Sequence, residues 1–246
     1  MPTLQIRLLG EFSLVYGSEV VQSVGTLRLQ SLLARLVLHR SAPQSRRHLA
    51  FTLWPDSSES QARTNLRREL HKLRQALPAA DHFLSVEMQT LQWRSDAPFT
   101  LDVADFEQAV TAANQAEEAA NEPGVRDALA EAVALYKGDL LPSCYDDWLL
   151  TERERLRQGY LQALERLIVL LQKQRDYRSA IGYGQQLLRE DPLAEEAYLY
   201  LIRLYALNGD RARALRVYHT CVTTMQRELG VEPGPATRRL TKSYSG

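Results

Sequence analysis

Among the side chains of residues 1–94 able to hold an anion, nine stand out by position: Arg46, Arg47, Gln61, Thr64, Arg67, Arg68, His71, Lys72 and Arg94. They are guanidinium, ammonium, amide, hydroxyl and imidazole donors, the groups that meet phosphate oxygens and base edges. A guanidinium can bond guanine at two atoms at once, and a glutamine or asparagine amide can do the same with adenine. Six of the nine fall between Ser58 and Leu77, and their spacing there is helical. Leu66, Leu70, Leu73 and Leu77 recur at i, i+4, i+7 and i+11, with Ala62 one turn earlier. At 100° per residue these five form one narrow stripe. The opposite side holds Gln61, Thr64, Arg68, His71 and Gln75, flanked by Arg67, Lys72 and Asn65. Ser58 with Gln61 three residues on reads as a capping box, and Pro78 as the stop. A solvated amphipathic helix would show the same two faces, so its neighbours decide between the readings.

Those neighbours form an ordered set. Leu4–Gly10, Phe12–Tyr16 and Glu19–Gln22 read as strands turning at Gly17-Ser18. Thr26–Arg40 is helical, with Leu29, Leu32, Leu33, Leu36 and Val37 on one side. Ser45 caps a short helix, Arg46–Leu53, that packs through Leu49, Ala50 and Leu53. Trp54-Pro55-Asp56 closes it, with Trp54 expected to pack. Phe83–Val86 and Thr90–Trp93 make a hairpin around Met88 and Gln89. Strands, three helices and a hairpin is a winged-helix order, in which the third helix enters the major groove and the hairpin is the wing. Arg46 and Arg47 then occupy a helix start, where backbone N–H groups also attract phosphate.

Composition limits the alternatives. The chain has 246 residues, 45% hydrophobic and 24% charged, as in a globular protein of one large or two ordinary domains. No apolar run is long enough for a membrane span. Cys144 and Cys221 have no metal or redox spacing, and Met1–Arg7 lacks a secretion layout, so a cytoplasmic setting is expected. The net charge is zero, yet residues 1–94 hold 12 Lys+Arg against 7 Asp+Glu. A basic front and an acidic remainder suggest two modules with different partners.

The remainder reads as helices. Ser95–Thr100 is expected to be a linker, and Asp102 the cap of a helix holding Val103, Phe106, Val110 and Ala113. Asn114–Gly124 is polar and ends in a breaker, and Val125–Lys137 is the next helix. Gly138–Pro142 is a turn, and Asp146–Lys173 one long helix. From there Leu164, Leu167, Leu171, Ala180, Leu187 and Pro192 are matched 34 residues later by Tyr198, Leu201, Tyr205, Ala214, Cys221 and Gln226. Asp176 and Asp210 keep the same register. A 34-residue helix-turn-helix period is the tetratricopeptide (TPR) signature, with Gln226 marking the second unit as degenerate. Two units are too few to close a solenoid core, so residues 102–173 must supply the remaining cover.

Two stretches point to a family. Residues 4–94 resemble the winged-helix (OmpR/PhoB-type) output domain of response regulators. Leu53–Asp56 followed by Ala62-Arg-Thr-Asn-Leu-Arg-Arg-Glu-Leu-His-Lys-Leu-Arg74 resembles the version in Streptomyces antibiotic regulatory protein (SARP)-like activators. Residues 102–242, through Ala134–Leu141, Asp147-Trp148, Glu152–Arg157 and Glu228–Thr237, look like the bacterial transcriptional activator domain (BTAD). The resemblance implies an α+β winged helix over residues 1–96 and an all-helical TPR-like domain over 97–246. It also implies activation of transcription by two copies on promoter direct repeats, and contact with RNA polymerase or another protein through the helical module.

On this reading Gln61, Thr64, Arg67, Arg68 and His71 reach bases, while Arg46, Arg47, Lys72 and Arg94 anchor phosphates. One helix does not decide which arginine takes which role, and His71 could equally be solvated. The alternative is a TPR-type scaffold that binds a peptide or protein and whose winged helix no longer reads DNA. An enzyme fits least, since no Gly-x-Ser-x-Gly, His-Glu-x-x-His, Cys-x-x-Cys, phosphate-loop or dinucleotide pattern occurs. Neither a cofactor nor a metal is expected. The acidic residues Asp146, Asp147, Glu152 and Glu154 suit a helix start better than a cation.

Overall fold

A computed structural model describes residues 2–242. They form two compact units, residues 2–108 with 134–157, and residues 109–133 with 158–242. The first unit opens with β1 (Leu4–Arg7), β2 (Ser13–Tyr16) and β3 (Glu19–Val20), each antiparallel to the next. Alternation puts Leu4, Ile6 and Leu14 inside and Gln5 and Arg7 outside. The stretch expected to be a linker instead supplies β7 (Phe99–Leu101), which pairs parallel to β1 and gives the order β3-β2-β1-β7. Leu101 is buried there, and that burial is what draws the segment onto the sheet.

Three helices follow as their caps dictate. Thr26 caps α1 (Leu27–Leu38), Ser45 caps α2 (Arg46–Leu53) and Ser58 caps α3 (Glu59–Ala76), each through its hydroxyl. The capping box of α3 is half made. Gln61 N–H donates to Ser58 Oγ at 3.3 Å, but the Gln61 amide turns along the helix to Asn65 Oδ1 at 3.0 Å. All five residues of the leucine stripe are buried. A four-residue helix absent from the sequence reading, α4 (Ala80–Phe83), leads into the hairpin β5 (Leu84–Val86) and β6 (Thr90–Trp93). β4 (Gln44–Ser45) adds a third strand to the hairpin, in the order β4-β6-β5.

The turn at 138–141 also belongs to the first unit. Leu140 bridges to Leu9, and Leu141 N–H donates to Leu8 O at 2.9 Å. Gly10 makes this approach possible: φ is +81°, and a β-carbon there would lie 2.9 Å from Lys137 O. Arg153 fixes the turn by donating to the carbonyls of Leu140, Leu141 and Cys144. Asp102 does more than cap a helix. Its carboxylate accepts from the amides of Leu8, Leu9 and Val103, and burial raises its pKa against the pull of those bonds.

The remaining helices are α5 (Asp102–Glu118), α6 (Glu122–Leu135), α7 (Asp147–Lys173), α8 (Tyr177–Glu190), α9 (Glu195–Leu207), α10 (Arg211–Leu229) and α11 (Pro235–Lys242). Pro123-Gly124, read as a breaker, lies in the first turn of α6, where proline's missing N–H costs no helical bond. The 34-residue register has a physical cause in the second unit. Asp176 and Asp210 cap α8 and α10 by accepting from Ser179 N–H and Arg213 N–H, and one turn on Ala180 and Ala214 are buried. Pro192 follows the end of α8, whereas α10 runs through Gln226 to the left-handed Gly230. That longer helix is the physical form of the degeneracy. Two clusters join α9 to α10: Leu201, Ile202, Tyr205 and Ala214, and Tyr198, Cys221 and Met225.

Candidate nucleic-acid interface

α3 presents its polar side to solvent over its whole length. Gln61, Arg63, Thr64, Arg67, Arg68, His71, Lys72 and Gln75 are all exposed. Two polar residues of the helix point the other way. Asn65, expected on the edge of the open face, is buried and holds the Gln61 amide, and Glu69 is buried beside Leu70. A carboxylate in that position needs partners. Lys72 Nζ donates to it at 2.9 Å and Arg68 Nε lies 3.4 Å away. Lys72 and Arg68 are therefore steered by Glu69, whereas Arg67 makes no ion pair among the described residues.

β4 explains how the wing reaches the start of α2. Ser45 faces Thr90 across the ladder, so the cap of α2 adjoins the wing turn. Arg46 N–H donates to Gln89 O at 2.9 Å and its guanidinium to Glu87 O at 3.1 Å. The result is a cleft of about 640 Å³ lined by Ser45, Arg46, Arg47, Arg63, Leu66, Arg67, Met88 and Gln89. Four guanidiniums thus converge from two helices, and no described lining residue is acidic. Burial, and then the charge of Arg67, lower the pKa of Arg46 from its ordinary value. Arginine stays cationic at neutral pH all the same, so the cleft holds like charges that an anion would relieve. Arg47 lies over the Phe51 ring at 5.9 Å, and it shares Glu59 with Arg63.

The candidate residues therefore do not all meet. Arg46, Arg47 and Arg67 share the cleft. Arg68 and Lys72 stand beside Glu69. Thr64 is exposed but bonds Ser60 O at 3.0 Å. His71 lines a separate depression with Arg74, Gln75 and Asp81. Arg94 follows the base of the hairpin, where its N–H bonds Phe83 O, and its side chain lies 3.9 Å from Asp96. The apex is instead Glu87-Met88-Gln89, with Met88 90% exposed. Arg63 was not singled out in the sequence. Its i+4 spacing to Arg67 was a usable signal, but only the cleft gives that spacing meaning. Trp54 is half-buried beneath the Arg28 guanidinium, 5.3 Å from its ring centre, and so packs as expected.

A polar bridge ties α1 to the start of α7 within this unit. Arg28 donates to Leu53 O at 2.6 Å and pairs with Asp146 at 3.0 Å. Ser31 also donates to Asp146 and accepts from the Trp148 indole. Asp146 is thus engaged by a cation and a hydroxyl, and no cluster of three or more His, Cys, Asp or Glu placed to hold a metal ion occurs among the described residues.

Residues 101–243 match the family model of the bacterial transcriptional activator domain. The chain belongs to that family. Among BTAD relatives, the regulatory protein AfsR of Streptomyces coelicolor is 28% identical over 218 residues, 89% of this chain. The transcriptional regulatory protein EmbR of Mycobacterium tuberculosis is 25% identical over 249 residues, 97% of this chain. The chain spans 22% of AfsR and 62% of EmbR. A solved structure of M. tuberculosis EmbR in complex with a low-affinity phosphopeptide matches with a TM-score of 0.80 at 24% identity, over 100% of this chain and 65% of that one. This BTAD protein thus has the fold expected of a SARP-like regulator, a winged helix followed by a TPR-like helical module. By name one of these relatives is a regulatory protein and the other a transcriptional regulatory protein. No helix of the described residues is long and apolar enough to cross a membrane.

Proposed function

We propose that this chain is a sequence-specific, duplex-DNA-binding activator of transcription, without catalytic activity. Residues 1–96 bind the DNA and residues 97–246 form the activating module. α3 lies in the major groove, where Gln61, Thr64, Arg67, Arg68 and His71 face base edges. Arg46 and Arg47 at the start of α2, with Lys72 and Arg94, hold the flanking phosphates. Two copies sit on a direct repeat, and the helical module contacts RNA polymerase or a partner protein. The observation that carries this reading is the convergence of Arg46, Arg47 and Arg67 beside the exposed face of α3.

The test is a titration with duplex DNA over a range of salt. Affinity should fall steeply as salt rises, because each neutralised phosphate releases counterions. Arg68→Ala should weaken specific binding by about 1–3 kcal/mol in a protein still folded by thermal melting, Lys72 remaining as the partner of Glu69. A flat salt response with unchanged affinity would assign the chain to the scaffold class instead.

A further inference from the structure

Glu59 is the first residue of α3, and two of the four cleft arginines are bound to it. Arg63 Nη2 lies 2.6 Å from Glu59 Oε1, one turn along the helix. Arg47 approaches side-on, with Nε 3.3 Å from Oε1 and Nη2 3.4 Å from Oε2. All three side chains are open to water: 41% exposed for Glu59, 52% for Arg63 and 64% for Arg47. Such pairs are weak and exchange readily. Glu59 does not itself line the cleft, although both arginines bound to it do, so its carboxylate holds donors that an anion in the cleft would otherwise meet.

We propose that Arg63 is a further DNA-phosphate contact and that Glu59 is its resident competitor, an acid that sets how tightly the cleft binds any duplex. The proposal rests on the reading of α3 as a DNA-binding helix. The energetics favour a competitor over a mere positioning group. A guanidinium has five N–H donors, and Glu59 engages one from Arg63 and two from Arg47. A phosphate entering the cleft would meet the remaining donors, but also the unfavourable field of the carboxylate. Giving up exposed pairs costs little, and the donors so released are then free to meet the phosphate. Glu59 thereby lowers the sequence-independent part of the affinity, the part that traps a regulator on random DNA.

Two variants test this because their effects should have opposite signs. The full chain is titrated with a short labelled duplex of mixed sequence at several salt concentrations. Glu59→Gln should tighten binding by about threefold to tenfold at low salt and steepen the log–log salt slope by about 1. Arg63→Gln should weaken binding by a similar factor and flatten the slope by about 1. Glu59→Asp, which keeps the charge, should bind like the parent. Thermal melting of each variant checks the fold, and either variant alone gives a sign. If Glu59→Gln binds unchanged or more weakly while the parent binds DNA, the competitor role is overturned and the reading of α3 stands. If Arg63→Gln is silent, the phosphate contact is overturned. A parent chain that binds no duplex overturns the reading of α3 itself.

Discussion

α3 and α10 are built on the same plan and end in different settings. Both start at a side-chain cap, Ser58 or Asp210. Both bury one face, Ala62, Leu66, Leu70 and Leu73 in one and Ala214, Cys221 and Met225 in the other. Both carry several arginines outside. In α10, Arg213 pairs back to the cap Asp210 and Arg227 to its neighbour Glu228, while Arg216 stands exposed with no ion pair among the described residues and no second element bringing cations beside it. In α3, Arg67 has no such acid, and the start of α2 brings Arg46 and Arg47 alongside with the wing turn. A cationic amphipathic helix is therefore not by itself a nucleic-acid reader. What distinguishes α3 is that cations converge on it from a second element, with Arg46 and Arg67 among them left without an acid among the described residues.

Substitutions can break this contrast. The largest effects should fall equally on both helices, because both depend on their buried faces. Leu66→Ala and Met225→Ala should each cost about 2–5 kcal/mol of stability by denaturant titration. A loss below about 1 kcal/mol at Leu66 would mean the leucine stripe is not what holds α3. Next comes the difference between the outer faces. Arg67→Ala should weaken DNA binding by about 1–3 kcal/mol with melting unchanged, while Arg216→Ala on α10 should leave binding as it was. Equal losses at the two arginines would remove the distinction. Smaller again is the cap. Asp210→Ala should lower stability by about 1 kcal/mol, with DNA affinity of the folded protein unaltered. The smallest effect is that of Arg216→Ala on stability, within about 0.5 kcal/mol, as for an exposed side chain away from any network.

Local signals made much of this legible. The hydroxyls of Thr26, Ser45 and Ser58 mark the starts of α1, α2 and α3 because capping depends only on residues a few positions apart. The 34-residue spacing is visible because Asp176 and Asp210 cap equivalent helices with a small alanine following each. What escaped depends on distant partners. β7 looks like a linker until β1 is beside it, and β4 is two residues long, with no pattern apart from its pairing to β6. Asn65 has a polar side chain and so reads as outward, yet it sits next to Leu66 on the inner side and is satisfied there by Gln61. Arg63 gains meaning only when α2 and the wing turn close a cleft around it. Residues 134–157 group with the front unit through Gly10, the Leu9–Leu140 bridge and the Arg28–Asp146 pair, contacts no periodicity could reveal.

The central claim is that the open face of α3 reads sequence as well as charge. Selection from a pool of randomised duplexes, run in parallel with the parent chain and the Arg67→Ala/Arg68→Ala variant, tests it most directly. The account predicts that the parent enriches one motif, arranged as a direct repeat, and that the variant, still folded by thermal melting, does not. Enrichment of the same motif by both proteins, or of none by the parent, would contradict it.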